Sequence, residues 1–118
     1  MAPKVKFTKE EMVEAALRVV RAKGIDNLTA KTIADELGTS TRPIFTGFGS
    51  MDDLRQGVYA AAVRVYDDYT NAGLKEEIPF LGVGKQYIQF ARKEPELYRF
   101  LFLSRMPEYS AVKSMQHL

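Results

Sequence analysis

Side chains that can recognise nucleic acid are concentrated in a short stretch that begins at residue 39. Hydroxyl groups are supplied by Thr39, Ser40, Thr41 and Thr46, and a guanidinium group by Arg42. Arginine can donate two hydrogen bonds to atoms O6 and N7 of guanine, or bind a phosphate. Threonine methyl groups can contact thymine methyl groups. These residue types at this spacing predict a surface that contacts base edges and phosphates.

The elements around this stretch indicate how it is positioned. A helix is predicted over residues 30–37, Gly38 ends it, and a second, shorter helix follows, which is the layout of a helix-turn-helix DNA reader. Ile44 and Phe48 are its two apolar anchors, and the ring of Phe45 is available to a sugar or a base methyl group. The alternative is a polar short helix that faces solvent in a small helical bundle.

Apolar residues at helical spacing predict the first three helices. The first begins at Thr8, which has capping-box spacing to Glu11, and is ended by Gly24. The second spans 30–37 with Thr29 as its cap. The third spans 41–48, with its cap left open between Thr39 and Ser40. The inward residues predicted for this part are Met12, Ala15, Ala16, Val19, Val20, Ile25, Leu28, Ile33, Ala34 and Leu37.

Three further helices are predicted over residues 51–71, 80–93 and 96–103. In the second of them the inward residues predicted are Val83, Tyr87, Phe90 and Ala91. Ser50 caps the first of them, with Asp53 at capping-box distance. Residues 71–79 break the helical pattern, so the domains are predicted as 1–70 and 71–118. Residues after 103 lose the pattern and are expected to be irregular. The sequence therefore predicts an all-α fold: a three-helix domain joined by a long fourth helix to an incomplete helical second domain.

Composition narrows the class of protein. The chain has 118 residues, no cysteine and a net charge of +2, and no apolar stretch long enough for a signal peptide or a membrane span, so a cytoplasmic protein is expected. The charge excess lies in residues 1–50, which hold eight Lys/Arg against six Asp/Glu. Lys4, Lys6 and Lys9 form either a solvated tail or an arm that lies against phosphates.

Nothing in the sequence has the pattern of a catalytic or metal site. The single histidine, His117, lies next to the end of the chain, and no nucleophile–base pair, phosphate-binding glycine loop or metal-ligand spacing occurs. The paired carboxylates fit helix caps and solvated faces. No enzyme, cofactor or metal is predicted.

Residues 8–69 resemble the DNA-binding domain of a TetR-type transcriptional regulator. The resemblance rests on a set of spaced positions: Ala15-Ala16, Gly24, Thr29, Ile33-Ala34, Gly38, Ser40, Ile44-Phe45, Phe48, Ser50 and Leu54. It implies that residues 40–48 form the recognition helix and that the starts of the second and fourth helices contact phosphates. Thr29 and Lys31 belong to the first of these two sets. Three residues depart from the family pattern. Phe45 stands where relatives often have Tyr, Gly47 where they often have His or Tyr, and Met51 where they usually have Lys.

The resemblance also implies partners for the second domain. Residues 80–103 resemble the start of the family's ligand-binding and dimerisation domain. A small apolar ligand would contact Tyr87, Phe90, Tyr98 and Phe102, although these aromatic side chains can instead form a core. The protein implied is a ligand-responsive repressor that binds palindromic double-stranded DNA as a homodimer and has no membrane partner. Because proteins of this family are longer, the chain is expected to be a fragment with an exposed apolar surface on helices five and six.

A small helical protein-interaction module that does not bind DNA is the competing interpretation. Salt-dependent binding to duplex DNA distinguishes the two.

Overall fold

The computed structural model describes residues 7–104, and this part of the chain contains helices and no β-strand. Its helices are α1 (Lys9–Lys23), α2 (Ala30–Leu37), α3 (Arg42–Gly47), α4 (Met51–Leu74), α5 (Pro79–Lys93) and α6 (Pro95–Tyr98). A short 3₁₀ turn (Ile25–Asn27) follows α1, and a π-helical turn (Arg99–Leu103) follows α6. Lys4, Lys6, His117 and the irregular segment predicted after residue 103, apart from Ser104, lie outside the described residues.

The starts of α1 and α2 are fixed by side-chain caps, as predicted. The Thr8 hydroxyl accepts a hydrogen bond from the Glu11 amide (3.0 Å), and the Glu11 carboxylate accepts one from the Thr8 amide (2.9 Å). In α2 the Thr29 hydroxyl accepts from the Thr32 amide (3.1 Å), and the Thr32 hydroxyl accepts from the Thr29 amide (3.0 Å). Each reciprocal pair satisfies two amides that otherwise lack intrahelical partners.

Glycines end these two helices with different backbone conformations. Gly38, after α2, has φ 73° and ψ 37°, the left-handed conformation that closes many helices. Gly24, after α1, has φ 89° and ψ 161°, a region that is essentially restricted to glycine and differs from the left-handed conformation expected there. The chain can therefore turn from α1 into the 3₁₀ turn only because residue 24 has no Cβ.

Contacts divide the chain into two compact units, Met1–Val58 and Tyr59–Leu118. In the first unit α1 packs on α2 and α2 packs on α3. Its core contains the inward residues predicted for α1 and α2, except that Ile25 and Leu37 are only half-buried. The described residues buried there are Met12, Ala15, Ala16, Leu17, Val19, Val20, Leu28, Ile33, Ala34, Ile44, Leu54 and Val58. The functional boundary predicted at residue 70 stays a prediction.

The second unit has its own core, built around Tyr59. The Tyr59 ring meets the Phe100 ring edge-on at 5.2 Å, and its hydroxyl donates to the carbonyl oxygen of Leu101 at 3.4 Å. Residues 99–103, predicted as ordinary α-helix, form a π-helical turn instead, in which the Ser104 amide donates to the Arg99 carbonyl at 2.8 Å. The wider turn accompanies the burial of Phe100 and Leu101.

Two other predicted features of this part are wrong. Helix α4 continues to Leu74 instead of ending at Asn71, so Gly73 lies inside the helix, at a point of close approach to α5. Tyr87, predicted to face inward, has 37% of its surface exposed. Among residues 7–104, no helix combines the length and hydropathy that a membrane crossing requires.

Candidate nucleic-acid interface

The turn between α2 and α3 is held by backbone hydrogen bonds. The amide of Thr39 donates to the carbonyl oxygen of Ala34 at 2.9 Å, across the left-handed Gly38. This bond satisfies a carbonyl at the end of α2 and directs the chain into α3. The turn is therefore a defined connection, as a helix-turn-helix requires.

The cap position of α3 is Thr41, one residue after Ser40 and two residues after Thr39, the two caps that the sequence suggested. Thr41 is the residue before its first turn, and the Thr41 side chain makes no capping bond. Instead the Thr41 carbonyl oxygen accepts from the amides of Ile44 (3.1 Å) and Phe45 (3.3 Å). Arg42 and Pro43 occupy the first two helical positions, where the amide that proline lacks has no intrahelical partner anyway. The alternatives Thr39 and Ser40 were both wrong as caps.

One side of α3 is anchored and the other is exposed. Ile44 is almost completely buried, and Phe48 is half-buried, so the two predicted anchors differ in depth. Phe45, between them in sequence, has 64% of its surface exposed. Exposure of a large aromatic side chain to water is unfavourable, and contact with a partner would bury it.

The exposed side of α3 forms a shallow concavity. Five of the eight predicted DNA-binding residues line it together: Ser40, Thr41, Arg42, Phe45 and Thr46. Its lining does not include Thr29, Lys31 or Thr39. The concavity combines hydroxyls, a guanidinium group and an apolar ring. Hydroxyl and guanidinium groups can hydrogen-bond to phosphates and base edges, and an apolar ring can contact base methyl groups.

The predicted DNA-binding cations of α2 and α3 differ in their ion pairing. Arg42 is exposed and makes no ion pair within residues 7–104. Lys31 lies 3.8 Å from the Asp35 carboxylate, one turn along α2, but its side chain is largely exposed. A pair this exposed is weak, so Lys31 can exchange Asp35 for a phosphate at small cost.

The hydroxyls of the site are partly committed to the protein backbone. Thr46 donates to the carbonyl oxygens of Arg42 (3.2 Å) and Pro43 (3.1 Å). Its methyl group and oxygen lone pairs are what it can offer a partner. The Thr29 hydroxyl caps α2 and also donates to the Thr32 hydroxyl at 3.2 Å.

The resemblance implies phosphate contacts at the starts of α2 and α4, and these two helix starts differ in the number of acidic residues. The Ser50 hydroxyl accepts from the Asp53 amide at 3.1 Å, which confirms Ser50 as a capping side chain for α4. However, Asp52 and Asp53 place two exposed carboxylates in the first turn of α4, whereas the first turn of α2 has no acidic residue. A phosphate is therefore better accommodated at the start of α2.

The aromatic residues predicted to contact a ligand pack mainly against one another. Tyr87 meets Tyr98 and Phe102 with ring centroids 5.8 Å away in each case, and Tyr98 meets Phe102 at 5.3 Å. Phe90 is completely buried, and Tyr66, at 5.1 Å, lies edge-on to it. The four predicted ligand-contacting residues, Tyr87, Phe90, Tyr98 and Phe102, therefore lie together with Tyr66 in an aromatic cluster rather than around an open pocket.

Within that cluster two tyrosine hydroxyls share a hydrogen bond. The hydroxyl oxygens of Tyr87 and Tyr98 are 3.0 Å apart. This hydrogen bond, together with desolvation and the nearby Tyr98 and Tyr66 phenols, raises the pKa of Tyr87 to about 12. The Tyr87 phenol is therefore a neutral hydrogen-bonding group at ordinary pH.

An open apolar groove lies beside the cluster on α5. Tyr87 and Tyr66 border it, whereas Phe90, Tyr98 and Phe102 do not belong to its lining. Phe80, at the start of α5, is 88% exposed, and Leu81 and Ile88 are also exposed. These side chains form an exposed apolar surface on α5. An exposed apolar surface was expected on helices five and six, but in the predicted sixth helix Leu97, Phe100 and Leu101 are buried and Leu103 is exposed.

One contact near α3 was missed by the sequence reasoning. The Lys9 ammonium lies 5.7 Å from the centroid of the Phe48 ring, within the range of a cation–π interaction. Residues 9 and 48 belong to separate helical segments, and no spacing rule relates them. Only the packing of α1 beside the end of α3 could reveal the pair.

Comparison with known proteins agrees with this geometry. Residues 12–58 match the sequence model of the bacterial regulatory proteins of the tetR family, a range that includes α2, the turn and α3. The chain is also 30% identical, over 113 residues, to an uncharacterised HTH-type transcriptional regulator of Mycobacterium tuberculosis. The match covers 91% of this chain and 50% of that relative, so the chain spans about half the length of the curated relative it matches. The helix-turn-helix and the exposed side of α3 therefore lie in the part of the chain that is similar to the bacterial regulatory proteins of the tetR family.

Proposed function

We propose that this chain binds double-stranded DNA in a sequence-specific manner and serves the complete regulator as its DNA reader. The observation that carries the proposal is the concavity on α3, where Arg42, Phe45 and Thr46 lie together on the exposed side of a short, anchored helix. A recognition helix must present such groups to the base edges and phosphates of the major groove.

The proposed mechanism divides the residues between positioning and reading. Thr29 and Lys31, at the start of α2, contact the phosphate backbone and set the orientation of the protein. Arg42 reads a guanine, or binds a phosphate, and Thr39, Ser40, Thr41 and Thr46 supply short polar and methyl contacts. Phe45 packs against a base methyl group or a sugar.

The regulatory part of the proposal concerns the complete protein. A twofold dimer would place two recognition helices about 34–36 Å apart, on successive turns of a palindromic site. An apolar ligand bound in the second unit would change that spacing and release the DNA, which is the action of a ligand-responsive repressor. The groove bordered by Tyr87 supports an apolar ligand, whereas a ligand that reaches Phe90 must open the aromatic cluster.

A protein-interaction module is the second candidate. The observation that favours it is the exposed apolar side of α5, with Phe80, Leu81 and Ile88 in contact with solvent. The two functions use different surfaces, so each can be tested by substitutions that leave the other intact.

Selection of bound sequences from a pool of random DNA duplexes tests the DNA proposal directly. Enrichment of one palindromic sequence, with affinity that falls steeply as salt rises, supports a dimeric DNA reader. Failure to enrich any sequence would contradict it and favour the interaction module.

A further inference from the structure

Helix α1 meets the end of the recognition helix through a lysine and an aromatic ring. Lys9 is the first residue of α1, and Phe48 is the residue that caps the end of α3. The Phe48 backbone is extended (φ −128°, ψ 144°), and its amide still donates to the Ile44 carbonyl at 3.2 Å. This last hydrogen bond of α3 holds the Phe48 backbone in place. The Lys9 ammonium lies 5.7 Å from the centroid of the Phe48 ring.

A second contact, one turn further along α1, fixes the same two elements against each other. A Cβ built at Gly47 would lie 2.6 Å from the Met12 Cε atom and 3.2 Å from its Sδ atom. The buried Met12 side chain therefore occupies the space beside Gly47. A side chain at residue 47 would have to displace the end of the Met12 side chain, so Gly47 leaves room for this contact between α1 and the end of α3.

Electrostatics make the position of Lys9 unusual for a purely structural residue. A cation in the first turn of a helix is disfavoured by the helix dipole. Lys9 makes no ion pair within the described residues, and the neighbouring Glu11 carboxylate is engaged in the Thr8 capping box. The ammonium is exposed, and among residues 7–104 the face of the Phe48 ring is its contact.

We infer that Lys9 contacts a DNA phosphate and that Phe48 positions it for that contact. The inference rests on the proposed function and extends it to a residue on α1. The recognition helix then has a cation at each end: Arg42 at its first residue and Lys9 beside its last. Six residues of helix separate positions 42 and 48 by about 9 Å, whereas phosphates on one strand recur every 3.4 Å along the duplex axis. The two cations therefore meet different phosphates or, for Arg42, a base.

The salt dependence of duplex binding tests the inference with three variants of the full chain. Lys9→Gln removes the charge on an exposed residue, and Lys23→Gln removes the same charge at the other end of α1. If Lys9 binds a phosphate, the slope of log K against log salt falls by about 0.9 in Lys9→Gln. The slope in Lys23→Gln stays at the wild-type value.

Phe48→Leu tests the positioning role. It retains an apolar side chain but removes the ring face, so it should reduce the salt slope in the wild-type background and leave the slope unchanged when Lys9 is already Gln. A structural role alone would lower affinity equally in both backgrounds, and that result overturns the positioning role.

The outcomes separate this inference from the proposed function. If wild type shows no salt-dependent binding to DNA, the proposed function is wrong and the inference falls with it. If wild type binds with a steep slope and Lys9→Gln retains that slope, or if Lys23→Gln loses as much, the inference alone is overturned.

Discussion

Gly73 of α4 and Gly82 of α5 bring their helices into backbone contact. A Cβ built at Gly73 would lie 2.6 Å from both the carbonyl carbon and the carbonyl oxygen of Gly82. In the opposite direction, a Cβ at Gly82 would collide with the Gly73 carbonyl oxygen. Backbone atoms cannot rotate away as a side chain can, so both positions admit only glycine without a shift of the helices.

Alanine at either position should destabilise the second unit. Gly73→Ala and Gly82→Ala each force the helices apart, and we expect a loss of about 1–3 kcal/mol in the free energy of unfolding. Thermal unfolding followed by circular dichroism measures the loss.

Gly84 provides the matched control for these variants. It lies in the same helix as Gly82, but a Cβ there would have no atom within 4 Å. Gly84→Ala should therefore stabilise α5 by up to about 1 kcal/mol through helix propensity. Equal stability changes for Gly82→Ala and Gly84→Ala would contradict the close packing.

Threonines at two helix starts should differ in their effect on stability. Thr29 caps α2 through its hydroxyl, so Thr29→Ala should cost about 1 kcal/mol. The Thr41 hydroxyl makes no capping bond, so Thr41→Ala should change stability by less than about 0.5 kcal/mol. Urea unfolding of the two variants decides this, and a larger loss for Thr41→Ala would show that α3 is capped differently.

This pair of threonines shows how far the sequence predicts the fold. The caps of α1 and α2 follow from local spacing, because a hydroxyl and an amide three residues apart need nothing else to meet. At α3 Thr39 and Ser40 were competing caps, but the residue at the cap position is Thr41, and its side chain makes no capping bond. Ile44 of α3 is buried in the core, and such a contact does not follow from local spacing.

The π-helical turn at residues 99–103 is another feature that local pattern cannot predict. Its apolar sequence is compatible with an ordinary helix, and the difference arises from the packing of Phe100 against Tyr59, 41 residues away in sequence. For the candidate site, the polar residue types of α3 were visible in the sequence. The Lys9–Phe48 contact was not, because it depends on how two helices pack.

Titration of Tyr87 should reveal its hydrogen bond with Tyr98. The pKa of Tyr87 is about 12 in the folded protein, compared with an ordinary value of 10.0, so the folded state favours the neutral phenol. The stabilisation is complete below pH 10 and is lost as pH rises toward 12.

Ultraviolet difference spectroscopy of phenolate formation can follow this titration. In Tyr98→Phe the hydrogen bond is absent, so the pKa of Tyr87 should move down toward its ordinary value. The control is Tyr69→Phe, which removes a phenol that is not among the causes of the shift. An unchanged high pKa in Tyr98→Phe would show that the hydrogen bond is not the main cause.

The most direct test of the central claim is the discrimination between two duplexes by wild type and Arg42→Ala. One duplex carries the sequence enriched from the random pool, and the other carries the same bases in scrambled order. If Arg42 reads a base from α3, Arg42→Ala should lose about 1–3 kcal/mol of discrimination, a factor of about 5 to 150 in the ratio of Kd values. Arg64→Ala, which removes an exposed arginine of α4, should retain the wild-type ratio. Equal discrimination by wild type and Arg42→Ala would contradict the assignment of α3 as the reader.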